Sequence, residues 1–578
     1  EKATTEIVVA ETVDIIHNST TKITFHQIMR FTKRDIICIA LLFIMLLLPN
    51  ICALFMAVDM KGSWVMKIGY LGMVMVCLLI PALVFKTRTY FIIEGVLNFL
   101  FMPIDIASLY LNKQSTSKLF LNSILNTDIS EAIEILLSMW PICLIVILLW
   151  ITYIYLCISI KNQPLLNKRL RYWGVVATVV MTIATYVALS FLIRNINPNF
   201  STREVMSQTL DKFGMKFLKI YPYNLYINAC KLWQDQRAWN QGQEELKNFS
   251  FGITKRHNTD STIYILYIGE AARYDHFGLN GYCRNTTPHL AEKENLISYS
   301  SIYAQANLTN YSIPFLLTRA TTNNIEIMHK EKSILEAFQE AGYQTAFISK
   351  NSYTPFTMRI MNSCEYHYIF SRGLDAVDSY DIDLVQHLKG IVHGQGLFAV
   401  LHSLGSHYKY NLRYPKEANY YTPSLSTNDG YAMLTEDHKD LLINSYDNSI
   451  RYTDYVLGEL IEWMDSLNQP TVLMYISDHG ESFWDDERKL SLHGSYELSE
   501  AEYHVPCMIW YSNEYQQKFT DKTYWLHKNK EVSQNSSVTF STLLDLAGID
   551  EVVDTSRSLC SPCIHAIDSF PAMNGAGE

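Results

Sequence analysis

Long apolar segments alternate with short polar connections over roughly the first third of this 578-residue chain. Five of them reach or approach the ~20 residues that a helix needs to cross a bilayer. Their bounds are 36–58, 64–85, 90–111, 133–160 and 173–193, which predicts a transmembrane domain of five helices over residues 36–194. The third segment carries Glu94 and Asp105. Ionisable groups inside a membrane are often functional, but Asp105 lies near the segment's end, where exposure at the interface is equally expected.

Basic residues are distributed unevenly among the polar connections. They cluster before the first segment, between the second and third, and between the fourth and fifth: Arg30, Lys33, Arg34, Lys86, Arg88, Lys161, Lys168, Arg169 and Arg171. Cytoplasmic loops of membrane proteins carry such an excess of positive charge. We therefore predict a cytoplasmic segment over residues 1–35 and, after five crossings, an external location for the rest of the chain.

The second half of the chain has the pattern of a soluble α/β domain. Predicted strands cover 263–268, 344–349, 396–402, 471–477 and 505–511, and predicted helices cover 331–341, 441–467 and 537–546. Alternating strands and helices favour a mainly parallel sheet flanked by helices. We assign residues 258–578 to this domain and residues 195–257 to bridging helices that lie along the membrane surface or form a plain linker.

Composition narrows the possible functions. Hydrophobic residues make up 49% of the chain, in keeping with a membrane domain, and the net charge of −10 does not favour nucleic-acid binding. Six of the eleven cysteines fall in the later part of the chain, where an oxidising compartment would allow disulfides whose pairing stays open. Cys560-Ser-Pro-Cys563 is a lone CxxC pair, which favours a disulfide or free thiols over a zinc site.

Polar fragments with metal-binding chemistry follow the predicted strands. They are Gly269-Glu270, His402 with His407, Asp478-His479-Gly480-Glu481 and His493-Gly494. Open α/β sheets place their ligands at the carboxyl ends of strands. Carboxylate and imidazole ligands together suit Zn²⁺. A threonine, Thr309, lies further along as a candidate nucleophile that a metal or base would have to activate.

These fragments also occur as a set in a known group of enzymes. The relevant stretches are Gly269-Glu270, Asn280-Gly281-Tyr282, Arg284-Asn285-Thr286-Thr287-Pro288, Thr309-Asn310-Tyr311-Ser312-Ile313-Pro314, His402-Ser403-Leu404-Gly405-Ser406-His407, Ser477-Asp478-His479-Gly480-Glu481-Ser482 and His493-Gly494. Together with the membrane anchor, they resemble the phosphoethanolamine transferases of Gram-negative envelopes. That group includes lipid A-modifying and colistin-resistance enzymes and belongs to the alkaline phosphatase/sulfatase superfamily.

The resemblance implies a function and a set of site residues. It implies a tightly bound catalytic Zn²⁺ held by Glu270, Thr309, Asp478 and His479, with Thr309 as nucleophile. It implies that His402, His407 and His493 bind phosphate, donor substrate or a second Zn²⁺. The reaction would move phosphoethanolamine from phosphatidylethanolamine to Thr309, and then to lipid A or another envelope glycan. The location implied is the bacterial inner membrane, with the catalytic domain in the periplasm.

Two details of the resemblance are weaker. Ser123, Thr127 and Glu131 match the four-residue spacing of donor-lipid residues in relatives, although a serine replaces an asparagine. The better-known lipid A enzymes also carry cysteines on both sides of the nucleophile segment, where this chain has Asn307-Leu308 and Phe315-Leu316-Leu317. The family's disulfides are therefore not transferred, and the acceptor stays open.

Alternatives remain at this stage. Ser312, one helical turn after Thr309, is a rival nucleophile. The same fold could serve a phosphoglycerol transferase or a hydrolase such as a sulfatase or phosphatase. The sulfatase variant is disfavoured because Ser312-Ile313-Pro314-Phe315-Leu316 lacks the arginine of the Cys/Ser-x-Pro-x-Arg segment. A third class is a non-catalytic membrane receptor or scaffold whose site has lost its activity. The presence of every expected metal ligand argues against this class.

Overall fold

A computed structural model describes residues 31–57, 64–111, 139–196, 220–255 and 261–574. Short gaps in the last range fall at 352–353, 371–378, 393–395, 427–428, 430–432 and 496, and residues 115–138 and 202–210 are described only in part. The chain divides into two compact units. The first comprises residues 1–116 and 139–228, and the second comprises residues 117–138 and 229–578. The bounds of the four segments expected from the sequence stay predictions.

Apolar helices make up the first unit. They are α1 (Lys33–Met56), α2 (Trp64–Ala82), α3 (Thr87–Phe99), α4 (Met102–Leu111), α5 (Trp140–Ser159) and α6 (Lys168–Ile196). A longer helix, α7 (Tyr223–Asn248), begins in this unit and lies in the predicted bridging region.

Among the described residues, three helices are long and apolar enough to cross a membrane: α1, α5 and α6. Helices α3 and α4 add a fourth span if they are taken as one segment bent by 42° at its break. Helix α2 is apolar but shorter, over Lys67–Ala82. The number of five spans therefore stays a prediction, whereas the apolar helical character of the region is observed.

Asp105 is buried in this unit rather than exposed at an interface. Its side chain is 1% exposed, and its Oδ1 accepts hydrogen bonds from the backbone N–H and the hydroxyl of Thr116 and from Asn224 Nδ2. These donors explain how a carboxylate tolerates burial here.

The second unit is built on one seven-stranded sheet. Its strands are β1 (Ile263–Gly269), β2 (Leu296–Tyr299), β3 (Gln344–Ser349), β4 (Tyr366–Ile369), β5 (Leu397–His402), β6 (Thr471–Ser477) and β7 (Cys507–Tyr511). Their order across the sheet is β2-β7-β6-β1-β5-β3-β4. The five strands from β6 to β4 are parallel, while β7 runs antiparallel to both of its neighbours. The predicted mainly parallel sheet is therefore confirmed.

Helices cover both faces of this sheet. The longer ones are α8 (Thr309–Leu317), α9 (Ile334–Ala341), α10 (Pro355–Ser363), α11 (Ile382–Lys389), α12 (Lys439–Ser466), α13 (Thr520–Lys528) and α14 (Val538–Leu546). Short helices span Pro288–Ala291, Ile327–Lys330, Glu500–Tyr503 and Asn513–Lys518. Two-residue strands pair Ile302–Tyr303 with Gln534–Asn535 and Ser482–Phe483 with Ser491–Leu492.

The central strand β1 is buried on both faces, as its unbroken apolar run predicts. Tyr264, Leu266 and Ile268 pack into one hydrophobic core with α9 and α14. The alternate residues, including Ile265 and Tyr267, pack into the other core with α11 and α12. This period of two divides the strand between two cores.

The cysteines form no disulfide: all eleven are free thiols. Cys560 is buried and Cys563 is exposed, so the CxxC pair takes the free-thiol alternative.

Replacing Phe338 with alanine should destabilise the second unit strongly. Phe338 of α9 is fully buried and stacks on Phe398 of β5, with ring centroids 4.1 Å apart at 6°. Removal of such a ring typically lowers the free energy of unfolding by about 3–5 kcal/mol. The melting temperature of this unit measures the effect. Tyr524→Ala on the surface of α13, where the residue is 56% exposed, is the control, and an equal loss in both variants would contradict the packing described.

Candidate active site

Three neighbouring strands deliver the site residues to one edge of the sheet. Strand β1 lies between β5 and β6, with Ile268 opposite His402 and Gly269 opposite Ser477. All three strands are parallel, so their carboxyl ends meet at the same edge. Glu270 follows β1, Asp478 and His479 follow β6, and His402 ends β5. The register alone therefore gathers residues that are far apart in sequence.

Glu270, Asp478 and His479 form a compact, fully buried cluster. One candidate ligand atom from each residue lies within 4.8 Å of the other two. His479 Nε2 is 3.4 Å from Glu270 Oε1 and 3.4 Å from Asp478 Oδ2. The structure thus brings the three sequence-predicted ligands together, with an imidazole nitrogen between two carboxylates.

A tight turn lets the adjacent residues Asp478 and His479 face one point. Asp478 Oδ1 accepts hydrogen bonds from the backbone N–H groups of His479 and Ala271, at 2.8 and 3.1 Å. The next residue is Gly480, where a Cβ atom would lie 2.1 Å from the carbonyl oxygen of Ala501. Only glycine fits such a close backbone approach, which explains why residue 480 is a glycine.

The hydroxyl of Thr309 faces this cluster. Its Oγ1 lies 3.2 Å from each carboxylate oxygen of Glu270 and 3.2 Å from His479 Nε2. Thr309 is the first residue of α8, but the N-cap is Leu308 and no side chain caps the helix. The Thr309 hydroxyl thus makes no capping hydrogen bond, and its partners are Glu270 and His479 of the cluster.

Ser312, the rival nucleophile, is placed differently. Its side chain is 2% exposed, and its hydroxyl donates a hydrogen bond to the carbonyl oxygen of Ala306 at 3.0 Å. This bond engages the hydroxyl with the backbone that precedes α8.

Burial and mutual charge set the protonation of the cluster. Burial opposes a charge on His479, but Asp478 and Glu270 outweigh it and raise the pKa of His479 to about 10. Burial likewise works to raise the pKa of Glu270, yet the contact with His479 holds that pKa below its ordinary value. Burial and the charge of Glu270 raise the pKa of Asp478. A proton shared at His479 therefore supplies positive charge between the two carboxylates.

The three further histidines surround this cluster at different distances. His402 is buried, and Asn351 Nδ2 bridges it to the cluster, 3.4 Å from His402 Nε2 and 2.8 Å from Glu270 Oε2. The ring centroid of His493 is 4.1 Å from that of His479. Burial lowers the pKa of His402 to about 4 and that of His493 to about 3, so both imidazoles are neutral at pH 7.

His407 lies on the loop that follows β5. Its Nδ1 is 3.2 Å from the carbonyl oxygen of Tyr408, and its charge helps to lower the pKa of Glu270. The same loop touches Glu270 directly: Ser406 N–H donates to the carbonyl oxygen of Glu270 at 2.9 Å. Asp381 fixes the turn by accepting the N–H groups of Leu404 and Gly405 at 3.0 and 2.8 Å.

Sequence reasoning missed two side chains that touch the predicted site residues. Asn351 comes two residues after β3, so its position at the same sheet edge was the available signal. Glu481 is buried, and its Oε1 lies 3.2 Å from His493 Nδ1. Burial raises the pKa of Glu481 to about 8. Glu481 stood within a quoted motif, but no sequence signal separated it from its neighbours.

The donor-lipid residues expected from the sequence cannot be placed in the same way. Ser123, Thr127 and Glu131 lie outside the described residues. Their assignment stays a prediction.

Parts of the chain are similar in sequence to known proteins. Residues 262–549 match the sequence profile of the Sulfatase family. The phosphoethanolamine transferase EptA of Salmonella typhimurium is 29% identical over 324 residues, which cover 52% of this chain and 56% of that protein. The Kdo(2)-lipid A phosphoethanolamine 7''-transferase of Escherichia coli K12 is 28% identical over 323 residues, or 53% of this chain and 55% of that protein. The match thus spans little more than half the length of these relatives.

A solved structure extends the likeness in fold to most of the chain. The integral membrane lipooligosaccharide phosphoethanolamine transferase A (EptA) of Neisseria meningitidis superposes with a TM-score of 0.61 and 19% identity. The superposition covers 83% of this chain and 90% of that protein. The likeness in fold therefore includes both apolar N-terminal helices and the α/β unit of this chain. Residues 262–549 form a sulfatase-family domain, and the chain is a homologue of the phosphoethanolamine transferases.

Proposed function

We propose that this protein transfers phosphoethanolamine from phosphatidylethanolamine to lipid A or another glycan of the cell envelope. The observation that carries the proposal is the Thr309 hydroxyl, 3.2 Å from both oxygens of Glu270 and from His479 Nε2. A hydroxyl nucleophile beside a buried cluster of two carboxylates and an imidazole suits phosphoryl transfer. The choice of phosphoethanolamine as the transferred group rests on the homologues, which are named phosphoethanolamine transferases.

The cluster fits a divalent cation. Asp478 Oδ2 is buried and accepts no hydrogen bond, although it is an ionisable oxygen at the centre of the cluster. Two carboxylates, an imidazole and a hydroxyl form a donor set of the kind that binds Zn²⁺. We therefore propose that Glu270, Asp478, His479 and Thr309 hold one Zn²⁺. When bound, the ion would lower the pKa of the hydroxyl and neutralise charge on the phosphoryl oxygens.

The proposed reaction has two steps. In the first, Thr309 Oγ1 attacks the phosphorus of the donor lipid, the bond to the glycerol oxygen breaks, and diacylglycerol leaves. In the second, an acceptor oxygen attacks the phosphothreonine and restores the Thr309 hydroxyl. The hydroxyl loses its proton in the first step and regains one in the second.

The three further histidines suit the remaining tasks of the site. The leaving glycerol oxygen needs a proton, and phosphoryl oxygens need hydrogen-bond donors. His402, His407 and His493 are the candidates for both, or for holding a second Zn²⁺. Burial raises the pKa of Glu481 to about 8 and lowers that of His493 to about 3, so at pH 7 the 3.2 Å contact between Glu481 Oε1 and His493 Nδ1 joins two mainly neutral groups.

The membrane helices complete the proposal. We infer an inner-membrane protein with its catalytic domain in the periplasm, because the donor lipid lies in that membrane and the expected acceptors lie beyond it. The alternative of a phosphoglycerol transferase keeps the same machinery and changes only the donor to phosphatidylglycerol.

Thr309→Ala should abolish transfer, lowering the rate by at least about 1,000-fold because the attacking oxygen is removed. Ser312→Ala, in the same helix, is the matched control. It loses the bond to Ala306, which should lower stability by about 1–3 kcal/mol and leave transfer within a few-fold of wild type. Mass spectrometry of envelope lipids, read as the gain of one phosphoethanolamine, compares the two. Transfer that survives Thr309→Ala would refute the nucleophile, and transfer only from phosphatidylglycerol would refute the donor.

Glu270→Gln should weaken zinc binding by more than about tenfold, because one charged ligand becomes a neutral amide. Elemental analysis of the purified protein and the rise in melting temperature on adding Zn²⁺ both report this without any activity assay. Glu292→Gln, at an exposed carboxylate, is the control. Equal zinc retention in both variants would count against the proposed ligand set.

A further inference from the structure

One buried carboxylate close to the site takes no part in the proposed chemistry. Glu502 lies in the short helix Glu500–Tyr503, just before β7, and its side chain is 0% exposed. A carboxylate is removed from water at a large energetic cost unless several donors bind it. Its partners therefore indicate why it is there.

Glu502 accepts hydrogen bonds from three separate segments. Oε2 accepts from Asn307 Nδ2 at 2.7 Å. Oε1 accepts from the Ser482 hydroxyl at 2.9 Å. The Ser495 hydroxyl lies 2.7 and 2.8 Å from the two oxygens, and the Ser495 N–H donates to Oε2 at 3.2 Å.

Each of these segments carries a group of the active site. Asn307 comes two residues before Thr309, Ser482 comes three residues after His479, and Ser495 comes two residues after His493. The backbone of the same short helix reinforces one of the links. Gly480 N–H donates to the carbonyl oxygen of Glu502 at 2.7 Å, and Glu481 N–H donates to that of Ala501 at 2.9 Å.

The pattern of partners suits an ionised carboxylate. Asn307 Nδ2 and the Ser495 N–H can only donate, and both bind Oε2, whereas the hydroxyls of Ser482 and Ser495 can donate or accept. Arg488 Nη2 lies 3.6 Å from Oε1 and adds a positive charge nearby. A glutamine of the same shape would lose the negative charge that strengthens each of these bonds, and its NH₂ group would face either the Arg488 cation or the two groups that only donate. Glutamine would thus weaken the links to the three segments without removing any bulk.

We propose that Glu502 is a positioning residue that fixes the Thr309 hydroxyl and His493 relative to the Asp478–His479 turn. The inference rests on the proposed function, since it assigns Thr309 and His493 to one reaction. The Glu502 side chain contacts neither the Thr309 hydroxyl nor the His493 imidazole. It acts on them through Asn307, Ser482 and Ser495. Displacing a reacting group by ~1 Å costs up to about 100-fold in rate, so such bracing matters for turnover.

Glu502→Gln tests the proposal in the full-length protein. We expect kcat to fall by about 10- to 100-fold with KM within about twofold, because the reacting groups move while the lipid-binding surface does not. Zinc content should stay near the wild-type level, because the Glu502 side chain touches none of Glu270, Asp478 and His479, and the variant moves only the neutral hydroxyl of the proposed ligand set. Glu500→Gln on the same short helix, where the side chain is 72% exposed, is the control and should match wild type.

A double-mutant cycle separates positioning from general loosening. Asn307→Ala removes the side chain that links the Thr309 segment to Glu502 and to the carbonyl oxygen of Ser495, and it should lower kcat on its own. If Glu502 acts through that link, the double variant will be at most a few-fold slower than Glu502→Gln alone, instead of showing the product of the two losses. Full multiplication of the effects, or a loss of zinc in Glu502→Gln, would overturn the proposal.

Amide hydrogen exchange tests the positioning role of Glu502 without relying on the proposed transfer reaction. Glu502→Gln should speed amide exchange in residues 305–309 and 491–495 and leave residues 402–407, which Asp381 holds, at the wild-type rate. This measurement decides the positioning role even if the wild-type protein transfers no phosphoethanolamine, a result that would refute only the proposed function. Unchanged exchange at 305–309 and 491–495, or faster exchange across the whole domain, would refute the role of Glu502.

Discussion

The parallel register of β5, β1 and β6 is the constraint on which the catalytic unit depends. It sets Gly269 opposite Ser477 and Ile268 opposite His402, so that the residues that follow come to one point. A slip of one residue would invert the facing of every side chain in a strand. The two hydrophobic cores prevent such a slip, because alternate residues of β1 belong to opposite cores. Apolar packing therefore fixes the polar site.

The site itself is electrostatically strained. Two buried carboxylates, one from Glu270 and one from Asp478, have oxygens within 4.8 Å of each other, and like charges so placed repel strongly. The two carboxylates raise the pKa of His479, whose positive charge then offsets part of this repulsion. A bound cation would take the place of the proton on the ligating nitrogen of His479 and offset more of the repulsion. Strain of this kind persists only where the surrounding structure holds the groups in place.

Two buried carboxylates outside the cluster provide such support. Asp381 binds the N–H groups of Leu404 and Gly405 in the loop between His402 and His407. Glu502 binds side chains on the segments of Thr309 and His493. Each accepts hydrogen bonds from groups of another segment, so each converts a flexible loop into a fixed one.

The sequence predicted the parts of this arrangement that follow from local pattern. The unbroken apolar run of β1 and the polar groups after each strand indicated the fragments that contain Glu270, Asp478 and His479, and the family resemblance singled out these residues as ligands. The antiparallel direction of β7 could not be predicted from the sequence, because the direction of a strand depends on which strand it pairs with in the folded sheet. Asn351 and Glu502 were missed because a single polar residue acquires its role only from partners brought together by folding. The break between α3 and α4, in contrast, had a visible signal in Pro103, because proline is favoured in the first turn of a helix and unfavourable in its interior.

The departure from the better-known lipid A enzymes now has a physical interpretation. Where those enzymes carry cysteines on both sides of the nucleophile segment, this chain has Asn307 bound to Glu502 and to the carbonyl oxygen of Ser495. On the other side, Phe315 is fully buried among Ala306, Met328 and Met573. One hydrogen bond contributes about 1 kcal/mol, against about 2–4 kcal/mol for a disulfide. Helix α8 therefore depends on several weak contacts acting together, and the position of Thr309 depends on the same contacts.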